Sequence, residues 1–84
     1  MMASEMIESI ETSAQLAEFI QKLGQEYRTE PESWENSDLG SFLEALSAWV
    51  QDMKGFYESR GMQVPEHPDW RDVAHMLAAA RVYE

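Results

Sequence analysis

The residues best equipped for chemistry in this chain are His67 and His75, with Glu66, Asp69 and Asp72 around them. Imidazole nitrogens and carboxylate oxygens are zinc ligands, and Asp72 and His75, three positions apart, share one side of a helix. A zinc site needs at least three protein ligands, and the spacing supplies no third. His75 is therefore read as a partly exposed helix residue paired with Asp72, and His67 as a loop residue. Nucleophilic catalysis lacks its parts: there is no cysteine, and no serine stands in a Gly-x-Ser-x-Gly turn. Ser37, Ser41 and Ser47 suit a helix cap and small helix positions. Gly40 and Gly55 are isolated, so no glycine loop can cradle a phosphate. Paired carboxylates are abundant, and for that reason unspecific, among sixteen acidic residues. No catalytic residue, metal site or cofactor is assigned, and an enzyme is not expected.

Binding chemistry is better represented. Glu5, Glu8, Glu11 and Glu18 stand between Met1 and Gln21 with no Lys or Arg, and Glu30, Glu32, Glu35, Asp38, Glu44 and Asp52 stand between Thr29 and Met53, again with none. The two windows carry −4 and −6, the whole formal charge of −10, while the rest of the chain is balanced. A solvated surface usually mixes both signs, and net charge alone serves solubility. Segregated negative charge also speeds encounter with basic partners and repels nucleic acid and anionic lipid. The expected binding residues are Glu30, Glu32, Trp34, Glu35, Asp38 and Glu44, with Trp34 as an aromatic anchor beside carboxylates.

Three helical segments must position these residues. Leu16, Phe19, Ile20, Leu23 and Tyr27 follow the helical period, Thr12 and Gln15 form a capping box, and Pro31 stops the pattern, which predicts a helix over Ser13–Arg28. Leu39, Phe42, Leu43, Leu46, Val50, Met53 and Tyr57 predict a second helix over Asp38–Arg60, with Asn36 or Ser37 as cap and Arg60 and Gly61 at its end. Trp49 and Phe56 widen its apolar arc beyond what one neighbour covers, so this helix is either central or part of an oligomer interface. Trp70, Val73, Ala74 and Leu77 predict a third helix over Asp69–Tyr83, with Pro68 suited to its start and Ala78, Ala79 and Ala80 allowing close approach. Trp34 is read as a staple packed near Gly40. Met6, Ile7 and Ile10 fit either a short helix or an extended segment.

The expected fold is a single all-α domain over residues 1–84, a small three-helix bundle. Leu16, Phe19, Ile20, Leu23, Phe42, Leu43, Leu46, Val50, Met53, Val73 and Leu77 are its expected core. A length of 84 residues allows one domain, and 44% hydrophobic residues with three tryptophans oppose disorder. No apolar run reaches a membrane span, and the N-terminus lacks the features of a signal peptide. A cytoplasmic location follows as the expectation.

Trp34-Glu35-Asn36, Leu39, Phe42-Leu43-Glu44-Ala45, Trp49, Trp70 and the closing Ala79-Ala80-Arg81-Val82-Tyr83-Glu84 resemble a family of short, uncharacterised bacterial proteins. The resemblance implies a bacterial or phage source and a compact helical domain, and it brings no catalytic or binding residues. In size and acidity the chain is also similar to phage-encoded anti-CRISPR proteins and other DNA mimics. The leading functional expectation is a small inhibitor that occludes a basic nucleic-acid-binding surface on a partner protein, binding neither nucleic acid nor membrane itself. The alternatives are an immunity protein that neutralises a cognate toxin and a structural, homodimeric helical protein. A charge of −10 per chain favours a monomer over a homodimer.

Overall fold

Each helix begins where a side chain can close its free amides. The Thr12 hydroxyl accepts from the Gln15 amide at 3.2 Å, and the Gln15 side-chain oxygen accepts from the Thr12 amide at 3.1 Å. Helix α1, Ser13–Thr29, follows this box. A 3-10 turn, Pro31–Ser33, ends it. Helix α2, Leu39–Glu58, is capped by Asp38 and not by Asn36 or Ser37. The Asp38 carboxylate accepts from both the amide and the hydroxyl of Ser41 at 2.8 Å, and these bonds hold its carboxyl below the ordinary range. At the far end Gly61 adopts φ +70. The Gly61 amide donates to the Glu58 carbonyl at 3.0 Å and the Met62 amide to the Tyr57 carbonyl at 2.9 Å, a Schellman closure that needs a left-handed residue.

Helix α3, Trp70–Ala80, starts from a capping box between Asp69 and Asp72, so Pro68 lies outside it. It ends at Ala80, short of Tyr83, in a last turn where the Val82 and Tyr83 amides both donate to the Ala79 carbonyl. The computed structural model describes residues 6–63 and 67–83. Glu5, Glu66 and Glu84, named in the sequence analysis, lie outside the described residues. No strand occurs among the described residues, and the architecture is all-α with three helices.

The packing order departs from the sequence expectation. The short alanine-rich α3 touches both other helices, while α1 and α2 make no close backbone approach to each other. Ala74 and Ala80 are fully buried and Ala78 nearly so; small side chains let two neighbours approach one helix from different sides. On the α1 side, Leu16, Phe19 and Leu23 join Ala74, Ala78 and the N-terminal Ile7 and Ile10 in one core. Of the two readings of this N-terminal segment the helical one holds at Met6 and Ile7, and Ile10 follows with its amide donating to the Ile7 carbonyl at 3.1 Å. Burying each such large side chain contributes about 1.5–3 kcal/mol.

On the α2 side the inward stripe is Ala45, Met53 and Tyr57. Aromatic edges fill this contact: Trp49 meets Phe56 at 5.2 Å and Tyr83 at 5.4 Å between centroids. Of the expected core, Leu16, Phe19, Leu23 and Met53 are buried, and Phe42, Leu46, Val73 and Leu77 are half-buried. Ile20, Leu43 and Val50 are exposed, and Leu39 is 72% exposed. The wide arc of α2 therefore marks no central helix. With one helix for a neighbour, α2 turns its small and aromatic residues inward and leaves several aliphatic ones uncovered.

The buried Tyr57 hydroxyl donates to Asp72 at 2.8 Å, and the second Asp72 oxygen accepts from the Asp69 amide at 2.9 Å. His75 is not held by Asp72 as expected: Asp72 is turned to Tyr57 and the helix start, and His75 lies against the Phe56 ring, 6.4 Å between centroids.

Two outcomes follow from this packing. Burial, and then the bond to Asp72, push the Tyr57 phenol up from 10.0 to about 12. The stabilisation tied to its neutral form is complete below pH 10 and is lost as pH rises through about 12. Urea unfolding of Tyr57→Phe should show a smaller loss of stability across that window than the parent chain. Ala74→Leu, which forces bulk between the helices, should cost about 1–3 kcal/mol. Leu43→Ala should stay within about 0.5 kcal/mol; the reverse ranking in thermal or urea unfolding would mean that α2, not α3, is the packed centre.

Candidate functional site

The segment Trp34-Glu35-Asn36 joins α1 to α2, and its side chains diverge. Trp34 is half-buried and packs against the start of α2, on Phe42. It stacks on Phe42 at 5.7 Å and tilts against Tyr27 at 5.2 Å, centroid to centroid. The Trp34 indole Nε1 donates to Glu26 Oε1 at 2.7 Å. The same oxygen accepts from Arg81 Nη1 at 2.6 Å. With the Arg81 and Glu26 side chains 17% and 22% exposed, the pair is partly withdrawn from water, where charge-assisted bonds strengthen.

Asn36 is not a cap. Its side-chain amide donates to the Ala80 carbonyl at 2.9 Å and the Tyr83 carbonyl at 2.8 Å. Its backbone amide donates to the Arg81 carbonyl at 3.0 Å. Helix C-termini leave carbonyls without partners, and Asn36 serves those of α3 from across the fold. The two ends of the residue pattern, Trp34–Asn36 and Ala80–Tyr83, are thus one contact. The Tyr27 hydroxyl, donating to the Ser37 carbonyl, ties the same segment to α1.

This clamp holds an open groove of about 430 Å³ between α1 and α2. Ile20, Leu23, Gly24 and Tyr27 line it from α1, Leu39 and Phe42 from α2, and Leu77 from the central α3, with Trp34 between. The only carboxylate in the lining is that of Asp38, beside Asn36 and Ser37. Of the six residues expected to bind a partner, the structure brings Trp34 and Asp38 to the groove. Glu30, Glu32, Glu35 and Glu44 are exposed and do not line it. Glu35 sits between two lining residues, Trp34 and Asn36.

Sequence reasoning missed Gly24, Glu26 and Arg81. Glu26 and Arg81 belong to the part of the sequence whose charges balance, and nothing local links residues 55 positions apart. Gly24 did carry a signal, a glycine in a helix interior. Among the described residues no group of three His, Asp or Glu side chains is arranged to hold a metal ion. None of their helices is long and apolar enough to cross a membrane.

The features together define a small all-α protein whose two outer helices flank an apolar groove bordered by an acidic segment. The chain belongs to a family of unknown function (DUF7660), whose family model matches residues 12–84. No curated protein and no solved structure matches it. The match includes the whole clamp, from Glu26 to Arg81, and begins after Ile7 and Ile10, which the core nevertheless buries.

Removing Glu26 leaves the Trp34 and Arg81 donors without their acceptor. Glu26→Ala should cost about 1–3 kcal/mol, as should Asn36→Ala. Because both substitutions loosen one clamp, the double variant should cost less than their sum. Additive costs in urea unfolding would mean that the two contacts are independent.

Proposed function

We propose that this protein works without catalysis in the cytoplasm, as a small inhibitor that captures a basic protein and covers its nucleic-acid-binding surface, in the manner of DNA mimics and anti-CRISPR proteins. The observation that carries this reading is the exposure of Glu30, Glu32, Glu35, Asp38 and Glu44 in a window without a single Lys or Arg. The nearby cation Arg81 is committed inward to Glu26 and so does little to neutralise that window. Rows of carboxylates can occupy sites shaped for phosphates, and like them displace the anions bound there.

A second reading, a homodimer, is favoured by one observation. Leu39, Leu43 and Val50 are exposed at spacings of four and seven, the pattern of a helix face that pairs with another. The charge of −10 on each copy opposes it, and we favour a monomer. An immunity protein that engages its toxin through an aromatic anchor has support only from Trp34 in the groove.

Capture of the partner from the source cell and its identification is the direct test. Affinity for that partner should fall steeply with added salt, since exposed charges act over a Debye length of about 8 Å at physiological ionic strength. Neutralising Glu30, Glu32, Glu35 and Asp38 together should slow association more than it speeds dissociation. The same change at Glu58, which pairs with Lys54 at 3.8 Å, should matter less. The purified chain alone should bind neither DNA nor RNA. Partner binding insensitive both to salt and to the fourfold change would overturn the mimicry reading.

A further inference from the structure

We infer that the groove between α1 and α2 seats one helix of the partner, a basic amphipathic segment whose apolar face lies over Gly24. The inference rests on the reading of this chain as a protein that captures a basic partner, and it names where and by what. Gly24 is the first observation. A glycine inside a helix lowers its stability relative to alanine, and Gly24 sits well inside the 17-residue α1. Nothing among the described residues calls for it. Its φ is not positive, and a Cβ built there would meet no atom within 4 Å. The bare backbone faces the groove, where absence of a side chain admits the close approach of another backbone.

The second observation is the apolar surface around it. Ile20, Tyr27 and Leu39 line the groove while remaining 46%, 39% and 72% exposed, and Leu43, one turn beyond Leu39, is 52% exposed. Apart from the connecting segment 34–38 the walls are helices, which offer no edge of free amides to an extended peptide, so the recognition mode they fit is a helix laid in a groove. Charge selects which helix. Asp38 lines the groove, Glu35 and Glu44 are exposed nearby in sequence, and no cation occurs between Thr29 and Met53. Lys and Arg flanking an apolar stripe complement that border. A second copy of this chain would bring another −10 to it instead.

The test uses three synthetic peptides of about 18 residues, five helical turns. One carries Leu on a helical face and Lys elsewhere, one carries the same Leu with Glu, and one scrambles the Leu/Lys order. The Leu/Lys helix should bind one-to-one, about tenfold or more tighter than the other two, and shift the NMR signals of the Ile20, Leu39 and Leu77 methyls. Gly24→Leu and Leu39→Ser should each weaken it about tenfold; the exposure of Leu39 keeps the second variant folded whatever the first does. Gly24→Ala should raise the melting temperature of the free chain and still weaken binding. Equal binding of the Leu/Lys and Leu/Glu peptides would overturn the charge assignment. Undiminished binding by folded Gly24→Leu and Leu39→Ser would remove the groove. If the fourfold carboxylate variant still lost affinity in that case, acidic capture would stand without the groove, and if it did not, both would fall. A dimer in sedimentation velocity that Leu39→Ser disperses would make a second copy the occupant and overturn the inference.

Discussion

One carboxylate oxygen, Oε1 of Glu26, accepts from both the Trp34 indole and the Arg81 guanidinium, and much of the molecule's arrangement hangs on it. It joins α1, the connecting segment and the end of α3, parts that no local signal brings together. A partly buried charge is costly unless paired and fully bonded, and here each member of the set answers another's need. Asn36 completes the clamp by taking up the carbonyls of Ala80 and Tyr83. The connecting segment is thereby fixed at both faces, with Trp34 held against Tyr27 and Phe42. Without that fixing there would be no defined groove wall.

The groove itself is a consequence of unequal helices. The central position goes to the helix with the smallest side chains, because only alanines allow α1 and α2 to flank it closely. Placed on opposite flanks of α3, α1 and α2 cannot cover each other. The gap between them is apolar because both present aliphatic residues toward it and Leu77 of α3 lies between. The long α2, rich in leucine, is consequently left with one neighbour and an uncovered stripe.

What was legible in the sequence was local. The Thr12–Gln15 box, the Arg60–Gly61 closure and the period of the first helix each involve residues within a few positions, where spacing dictates contact. Rotation of α2 was not legible. Leucine and alanine count alike in an apolar pattern, and which stripe turns inward depends on the size of the neighbour's side chains. The role of Asn36 was hidden for a related reason. Asparagine next to a helix start fits a cap, and its true acceptors lie more than forty residues away. Trp34 and Asp38, both expected to bind, line the groove; an aromatic beside carboxylates is recognisable without a fold. Gly24 acquired meaning only once its open side was seen to face the groove.

Three features of the groove region act against the stability of the isolated chain. Gly24 weakens α1, Leu39 and Leu43 leave apolar surface in water, and the 30–44 window gathers like charges with no cation among them. Each would be removed by ordinary optimisation of a small domain: alanine in the helix, polar residues on the outer face, a few lysines among the carboxylates. Gly24, Leu39 and Asp38 of that window meet in the groove lining, whereas at the α3 contacts local preference and packing agree. A core of modest size supports both regions, and the occupant proposed for the groove is one that would reverse all three. The helix proposed for the groove, with apolar contacts and cationic flanks, would do so at once: it would cover the leucines, fill the space above the glycine and neutralise the carboxylates.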